Sequence, residues 1–461
     1  MSKNTKLNFD NLFSDKRSGK DKNFVDGVRS EYQRDFNRLI FSSAFRRLQN
    51  KTQVFPLPGS SFVHNRLTHS LEVSTVGRSL GKIAGVYIAE NYATNDKSKE
   101  FYRYELENVL AAACLAHDIG NPAFGHSGES AISNYFLKKE SEIRQNFKDE
   151  QWSDLINFEG NANALRILTH KFNGNLEGGL KLTYTTLASI IKYPCESTGT
   201  KESFKHLKKY NFFQAEKEQF LEIMNEFSLI KESDTPIQFC RHPFAYLLEA
   251  ADDTTYTIID FEDAHRLGIL SHDEIKGSFH ELIVCLSRPE DKINEIEEKL
   301  KFIENENEKI SYLRGRAINS LILEASDKFK ENITSILNGS FNETLVGLIK
   351  KNCNAFKKIE DISYEKIYNH RTVVELELAG YNIMFELLNV LIPSVLLKEG
   401  ERQKIDKKAI KLIPIQFGPF TDDISSYLKC LGVLDFISGM TDNYGTELYR
   451  KIKGIEIGKH S

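Results

Sequence analysis

Apolar residues recur along this chain mainly at helical spacing. From Tyr32 to Leu48 (YQRDFNRLIFSSAFRRL) apolar and basic positions alternate with that period, until Pro56, Pro58 and Gly59 break it. Beyond the break, His69, Val73, Val76 and Leu80 fall at steps of four, three and four, so His69 stands in register with the buried stripe of its own helix. Leu106, Leu110, Ala113 and His117 repeat the arrangement. Phe244–Ala264 (FAYLLEAADDTTYTIIDFEDA) predicts another helix, with Asp252, Tyr256 and Asp260 at i, i+4 and i+8 on one face. Helical patterns also cover Thr183–Lys192, stopped by Pro194, and Glu375–Leu391 and Leu428–Lys451. The stretch Asp291–Lys309 reads as solvated helix and Lys398–Lys408 as a charged exposed loop. Residues 1–28, rich in Lys, Asp, Asn and Ser, predict an arm that is poorly ordered or docked on the surface. The chain shows no internal repeat, strand-dominated region or Gly-rich phosphate loop, so the expected fold is all-α.

Composition narrows the function classes. With 461 residues the chain can bury an extensive core without metal or disulfide staples. A net charge of −4 gives no global basic field for nucleic acid. Six scattered cysteines without a CxxC predict free thiols in a reducing, cytoplasmic compartment. The polar N-terminus and the lack of an apolar run of ~18 residues predict no membrane association.

The candidate chemistry centres on LAHDIGNPAFGHSGE, Leu115 to Glu129. Side chains adjacent on a helix point about 100° apart, so His117 and Asp118 converge on one point only where a helix ends. Gly120-Asn121-Pro122 supplies that ending. His69, His117, Asp118 and one Asp of the 252–253 pair, Asp252 being favoured because it shares a face with Tyr256 and Asp260, then form a candidate divalent-metal site of two imidazoles and two carboxylates. Such a site leaves positions for a water and a phosphate oxygen, the arrangement for hydrolysing a phosphate ester. His126 and Glu129 suit a proton-transfer pair, in which the carboxylate fixes the imidazole tautomer. Arg46, Arg47, Lys51 and Arg66, together with Lys192 and Tyr193, could meet a polyphosphate. From the residues alone Tyr256 reads equally as a core aromatic, Lys192 as a solvated lysine and Lys201–Lys209 as a solvated loop.

HNRLTHSLEV, LAHDIGNPAFGHSGE, KYP and LLEAADDTTYTIIDFEDAH resemble the motifs of the deoxyguanosinetriphosphate triphosphohydrolase (dGTPase) family, a branch of the HD-domain metal phosphohydrolases. The match runs from about Tyr32 to Tyr449. The resemblance implies an all-α fold with an N-terminal arm over 1–28, an HD-domain core over 29–275, and a helical C-terminal region over 276–461 that completes the substrate site and an oligomer interface. It implies a metal-dependent dNTP triphosphohydrolase, with dGTP as the expected substrate, that releases deoxynucleoside and inorganic triphosphate by attack of a metal-bound water at the α-phosphorus. Metal ligands are then His69, His117, Asp118 and Asp252, with Mg, Mn or another transition metal, and the catalytic pair is His126 with Glu129. Arg66 and Lys192 lie near phosphate, Tyr193 and Tyr256 against the sugar, Asp260 on the 3′-hydroxyl, and Gln53 with Val54 near the base. Implied partners are further copies of the chain, as in a hexamer, and a nucleotide or single-stranded DNA effector. At Gly439–Gly445 (GMTDNYG) the chain departs from many relatives by carrying Asn443 where they have a basic residue. The alternatives are an HD-domain phosphohydrolase of another nucleotide, a phosphodiesterase or nucleotidase, and a nucleotide- or ssDNA-binding regulator with vestigial catalysis.

Overall fold

The computed structural model describes residues 6–19, 29–55, 63–174, 178–288 and 293–455. The expected break at Pro56, Pro58 and Gly59 lies outside them, as do residues 1–5 and 20–28 of the expected arm. The fold is all-α apart from a small antiparallel hairpin, β1 (Lys231–Asp234) with β2 (Ile237–Phe239). The helices that position the site are α1 (Glu31–Ile40), α2 (Arg66–Asn91), α3 (Leu106–Ala116), α4 (Gly125–Lys138), α5 (Gly160–Thr169) and α6 (Tyr184–Ile190). They are followed by α7 (Pro243–Arg266), α8 (Glu306–Leu337), α9 (Arg371–Leu396), α10 (Ser426–Ser438) and α11 (Asp442–Ile452).

Local chemistry sets where these helices begin. The Asn65 side chain accepts the backbone N–H of Leu67 and Thr68 while the Thr68 hydroxyl answers Asn65 N–H, a reciprocal cap that makes Arg66 the first residue of α2. Ser42 does the same after α1: its hydroxyl accepts Phe45 N–H at 3.1 Å and starts the short helix Ser43–Arg47. The single helical pattern expected over Tyr32–Leu48 is therefore two helices with a turn between them. Close approach of α2 and α3 relies on small residues, since a Cβ on Gly81 would lie 2.9 Å from Glu107 Cα. That approach brings the stripe ending in His69 beside the one ending in His117.

Apolar side chains collect into two cores. The larger joins α1, α2, α3, α6, α7 and α8 and extends to Val373; the second joins α4, α9, α10 and α11 with Trp152, Phe158 and Phe213. This division runs across the expected boundary at 275/276, because Phe124, Ile132, Tyr135, Trp152 and Phe213 pack with the C-terminal helices and Phe279, Leu321 and Phe356 with the N-terminal ones. The described part of the arm departs from expectation too. Leu7, Phe9 and Leu12 are buried in the larger core, and Arg17 bonds Glu31 and the fully buried Asp35. Lys398–Lys408, expected as loop, is helical from Lys404. Cys285 and Cys353, Cα atoms 6.0 Å apart, form a disulfide, which corrects the expectation of six free thiols; Cys114, Cys195, Cys240 and Cys430 are free and buried. Among the described residues only α9 is long and apolar enough to cross a membrane, and 50% of its most apolar window is buried inside the fold, where α9 packs on α4 and α10.

Candidate active site

The site forms at the seam between the two cores. Helix α3 stops at Ala116, and the turn that follows is fixed by Asn121, whose Nδ2 donates to Asp118 Oδ1 at 2.6 Å and whose backbone N–H donates to Asp118 O. His117 and Asp118 consequently leave the helix together, as the spacing predicts. Opposite them, α7 presents Asp252, and α2 presents His69 one turn from its start.

His69, His117 and Asp252 each offer one ligand atom, and these atoms all lie within 4.8 Å of one another. His69 Nε2 and His117 Nε2 are both 3.3 Å from Asp252 Oδ1. His117 Nδ1 sits 2.6 Å from the Cys114 carbonyl, which can only accept, so Nδ1 carries the proton and Nε2 presents its lone pair. That Nε2 is buried and has no hydrogen-bond partner among the described residues. A buried imidazole acceptor left open beside a second imidazole and a carboxylate is the donor set of a borderline divalent cation, and the residues present fit one.

Asp118, the fourth expected ligand, stands next to this trio but outside its tight cluster. Its Oδ1 is 3.5 Å from His117 Nε2, and its Oδ2 accepts from Arg66 Nη1 at 2.8 Å. Burial disfavours its charge, yet Arg66, His117 and His69 overcome that and hold its pKa at about 2. Asp252 is held well below the usual carboxylate range, with Lys192 and His117 outweighing burial. Lys192 lies just past the end of α6 and is buried, its Nζ 2.8 Å from Asp252 Oδ2. The solvated reading of Lys192 is thereby corrected. Behind it, Arg241 donates to the Lys192 carbonyl and pairs with both oxygens of Glu249.

Nine residues after His117, His126 opens α4. Its Nδ1 is 2.7 Å from Glu129 Oε2, and Glu129 Oε1 accepts Gly160 N–H at 2.8 Å. The bond to Glu129 raises the His126 pKa against the effect of burial. The ring is walled by protein yet projects into the cleft, with 81% of its side chain exposed there. Gly125, at φ +55°, leaves room for the neighbouring guanidinium: a Cβ there would lie 2.7 Å from Arg66 Nη2.

One cavity of about 550 Å³ gathers these groups. Gln53, Val54, Arg66, His117, Asp118, His126, Lys192, Tyr193, Asp252, Tyr256 and Asp260 all line it, with His69 and Glu129 directly behind. The i, i+4, i+8 row on α7 therefore faces the cleft together. Asp260 accepts the Tyr368 hydroxyl at 3.0 Å, and burial pushes its pKa up to about 7.

Some cations fall elsewhere than expected. Arg46 is exposed, Arg47 lines a separate cavity, and Lys51 is buried behind the cleft with Nζ on the carbonyls of Asn121 (2.6 Å) and Ser438 (2.7 Å). Lys209, read as part of a solvated loop, instead lines the cleft and pairs with Glu159 at 3.1 Å. Sequence reasoning also missed Glu159, Asn161, Tyr368, Leu376 and Glu377 in the cleft wall, none of which shares a short motif with the others. Near the C-terminus it weighed Asn443, which is exposed, whereas the structural part is played by the buried Asp442.

An all-α fold that brings a helix-borne histidine and a His–Asp pair at a helix end to an aspartate on a third helix is that of the HD class, and the HD domain profile matches residues 66–191. The chain is 37% identical over 437 residues to a deoxyguanosinetriphosphate triphosphohydrolase-like protein of Synechocystis, covering 93% of this chain and 95% of that one. A protein of the same description from Listeria monocytogenes is 34% identical, over 97% of this chain and all (100%) of its own. A deoxyguanosinetriphosphate triphosphohydrolase of Salmonella schwarzengrund is 28% identical, over 93% and 96%. The chain belongs to the deoxyguanosinetriphosphate triphosphohydrolase family and is a hydrolase.

Proposed function

We propose that this protein hydrolyses deoxynucleoside triphosphates, dGTP foremost, to the deoxynucleoside and inorganic triphosphate. The observation that carries this reading is the conjunction, in one cleft, of the His69, His117 and Asp252 donor set with the His126–Glu129 pair. The names of the relatives support the substrate class. A cavity of about 550 Å³ lies within the range of ~300–1,000 Å³ common to small-molecule sites.

A divalent cation such as magnesium or manganese, held by His69, His117 and Asp252 with Asp118 alongside, supplies Lewis acidity toward phosphate oxygens. Arg66 and Lys192 face the triphosphate, and Lys209 adds a third cation on the side of His126. Water adds to the α-phosphorus as its bond to the 5′-oxygen breaks. The leaving oxygen takes the proton of His126 Nε2, while Glu129 steadies the ring through Nδ1; the proton lost by the water passes to solvent, which reprotonates the histidine. Tyr193 and Tyr256 pack the sugar, Asp260 meets the 3′-hydroxyl, and Gln53 and Val54 lie toward the base. On this reading residues 29–275 form the catalytic core and 276–461 complete the substrate site, through Tyr368, Leu376 and Glu377 in the cleft wall.

The test is incubation with each of the four dNTPs and with GTP under magnesium or manganese, products being resolved by ion exchange. Intact triphosphate and a deoxynucleoside are expected. Release of pyrophosphate or orthophosphate instead would assign the cleft to a different phosphohydrolase reaction.

A further inference from the structure

A second cavity, of about 360 Å³, shares no lining residue with the catalytic cleft. Its walls include Arg47, His170, Phe172, Phe417, Asp435 and Gly439. Arg47 is at the end of the short helix Ser43–Arg47 and is partly buried. Among the described residues its guanidinium has no hydrogen bond or ion pair, and burial lowers its pKa. The neighbouring guanidiniums are held differently: Arg38 donates to the Leu180 carbonyl at 3.3 Å, and Arg166 pairs with both oxygens of Asp435 at 2.7 Å and also with Glu216, so the one carboxylate in the wall is already neutralised. Arg47 thus leaves one uncompensated positive charge, with a planar fork of donors, facing a partly enclosed space.

Much of the remaining lining is aromatic and apolar. Phe172 and Phe417 meet edge to face with centroids 5.7 Å apart, His170 packs edge-on against Phe172 at 5.0 Å, and Ile167 and Leu180 complete the surface. A lone oxyanion would satisfy Arg47 and leave this wall wet; a purely apolar guest would cover the wall and leave the guanidinium unpaired. Only a guest with both parts suits the cavity.

We propose that this cavity binds a small organic oxyanion, a carboxylate or phosphate monoester carried on a planar apolar body, with Arg47 gripping the oxyanion and Phe172 and Phe417 packing the body. The assignment does not rest on the hydrolytic reading of the cleft. Ligand-observed NMR titrations of the full chain with phenyl phosphate, benzoate and inorganic phosphate test it. Phenyl phosphate, benzoate or both should bind, the better of the two naming the head group, and inorganic phosphate should bind more weakly. Arg47→Met should weaken the aromatic probe about tenfold or more, the scale of a lost charged hydrogen bond. Phe172→Ala should weaken the aromatic probes while leaving inorganic phosphate unchanged, and thermal melts establish that both variants are folded. Arg66→Met, which alters the cleft alone, should leave binding intact. No binding of either aromatic probe, unaltered binding in Arg47→Met, inorganic phosphate binding as tightly as phenyl phosphate, or loss of binding only in Arg66→Met would each overturn the proposal.

Discussion

Asp442 and Phe124, 318 residues apart, are joined by a hydrogen bond of 2.9 Å from the Phe124 N–H to Asp442 Oδ1. The other oxygen, Oδ2, accepts the N–H of Thr52 at 2.8 Å. Phe124 has φ 61° and directly precedes the helix that carries His126, while Thr52 precedes Gln53 and Val54. One carboxylate from the C-terminal region therefore anchors two cleft walls. Asp442→Ala leaves two buried N–H groups without acceptors, a cost of ~1–3 kcal/mol each. The expected result is a lower denaturation midpoint together with a raised KM for dGTP. Wild-type values of both would show that the two loops hold themselves.

For the cation site, His117→Ala should purify with strongly reduced metal and no measurable hydrolysis, because it removes one member of a three-residue donor cluster. Asp252 needs a gentler change. Alanine there would strand buried Lys192, whose Nζ lies 2.8 Å from Asp252 Oδ2, and could cost several kcal/mol by itself. Asp252→Asn keeps the shape and should still lose metal and activity, and chelation of the wild type should abolish turnover. Near-stoichiometric metal in both variants would remove the trio from consideration.

His126 should be separable from metal binding. His126→Ala is expected to retain metal yet lose ~10²-fold or more in kcat, with a smaller change in KM. The pH profile gives an independent readout. The hydrogen bond to Glu129 raises the His126 pKa above its ordinary value, so the imidazolium persists to higher pH and is lost as pH rises through that raised value. If His126 donates the proton, kcat falls along this limb. Glu129→Gln removes the carboxylate charge, so the descending limb should shift to lower pH; a limb that stays put or moves upward would end the assignment of His126 as acid.

Features confined to one helix were legible in the sequence. His69 with Val73, Val76 and Leu80, or Asp252 with Tyr256 and Asp260, follow from the helical period once the segment is known to be helical, and the His117–Asp118 turn is announced by Gly120, Asn121 and Pro122. Contacts across the chain carry no such period. Nothing near Lys209 shows that it meets Glu159, and nothing near Tyr368 shows that it reaches Asp260. Lys192 reads as solvated because its partner, Asp252, lies 60 residues away. Arg47 reads as a phosphate-facing cation because it stands close to His69 in the sequence, yet it lines another cavity. The buried Leu7, Phe9 and Leu12 are three apolar residues in a polar segment, too few to set a pattern.

The row on α7 makes the sharpest prediction about substrate. Asp252, Tyr256 and Asp260 all line the cleft, successive members one turn apart at ~6 Å. A triphosphate anchored beside Asp252 would run its sugar along this row, with C2′ toward the Tyr256 ring and the 3′-hydroxyl toward Asp260. A ring packed on C2′ leaves no space for a 2′-hydroxyl and offers it no partner, so a ribonucleotide meets both a steric and a desolvation cost. The wild type should prefer dGTP strongly over GTP in kcat/KM, and Tyr256→Ala should narrow that ratio by admitting GTP. Asp260 adds a second handle because it already accepts the Tyr368 hydroxyl at 3.0 Å. Its pKa of about 7 means that it carries a proton part of the time near neutrality and could then donate to the 3′-oxygen as well as accept from it. Asp260→Ala should weaken dGTP and leave a 2′,3′-dideoxy analogue nearly unaffected, since that analogue has no 3′-hydroxyl to lose. Tyr368→Phe removes one donor from the same carboxyl and should shift the pH dependence of KM for dGTP upward, without changing the dGTP to GTP ratio. Equal kcat/KM for dGTP and GTP in the wild type, or an unchanged ratio after Tyr256→Ala, would show that this face does not read the sugar.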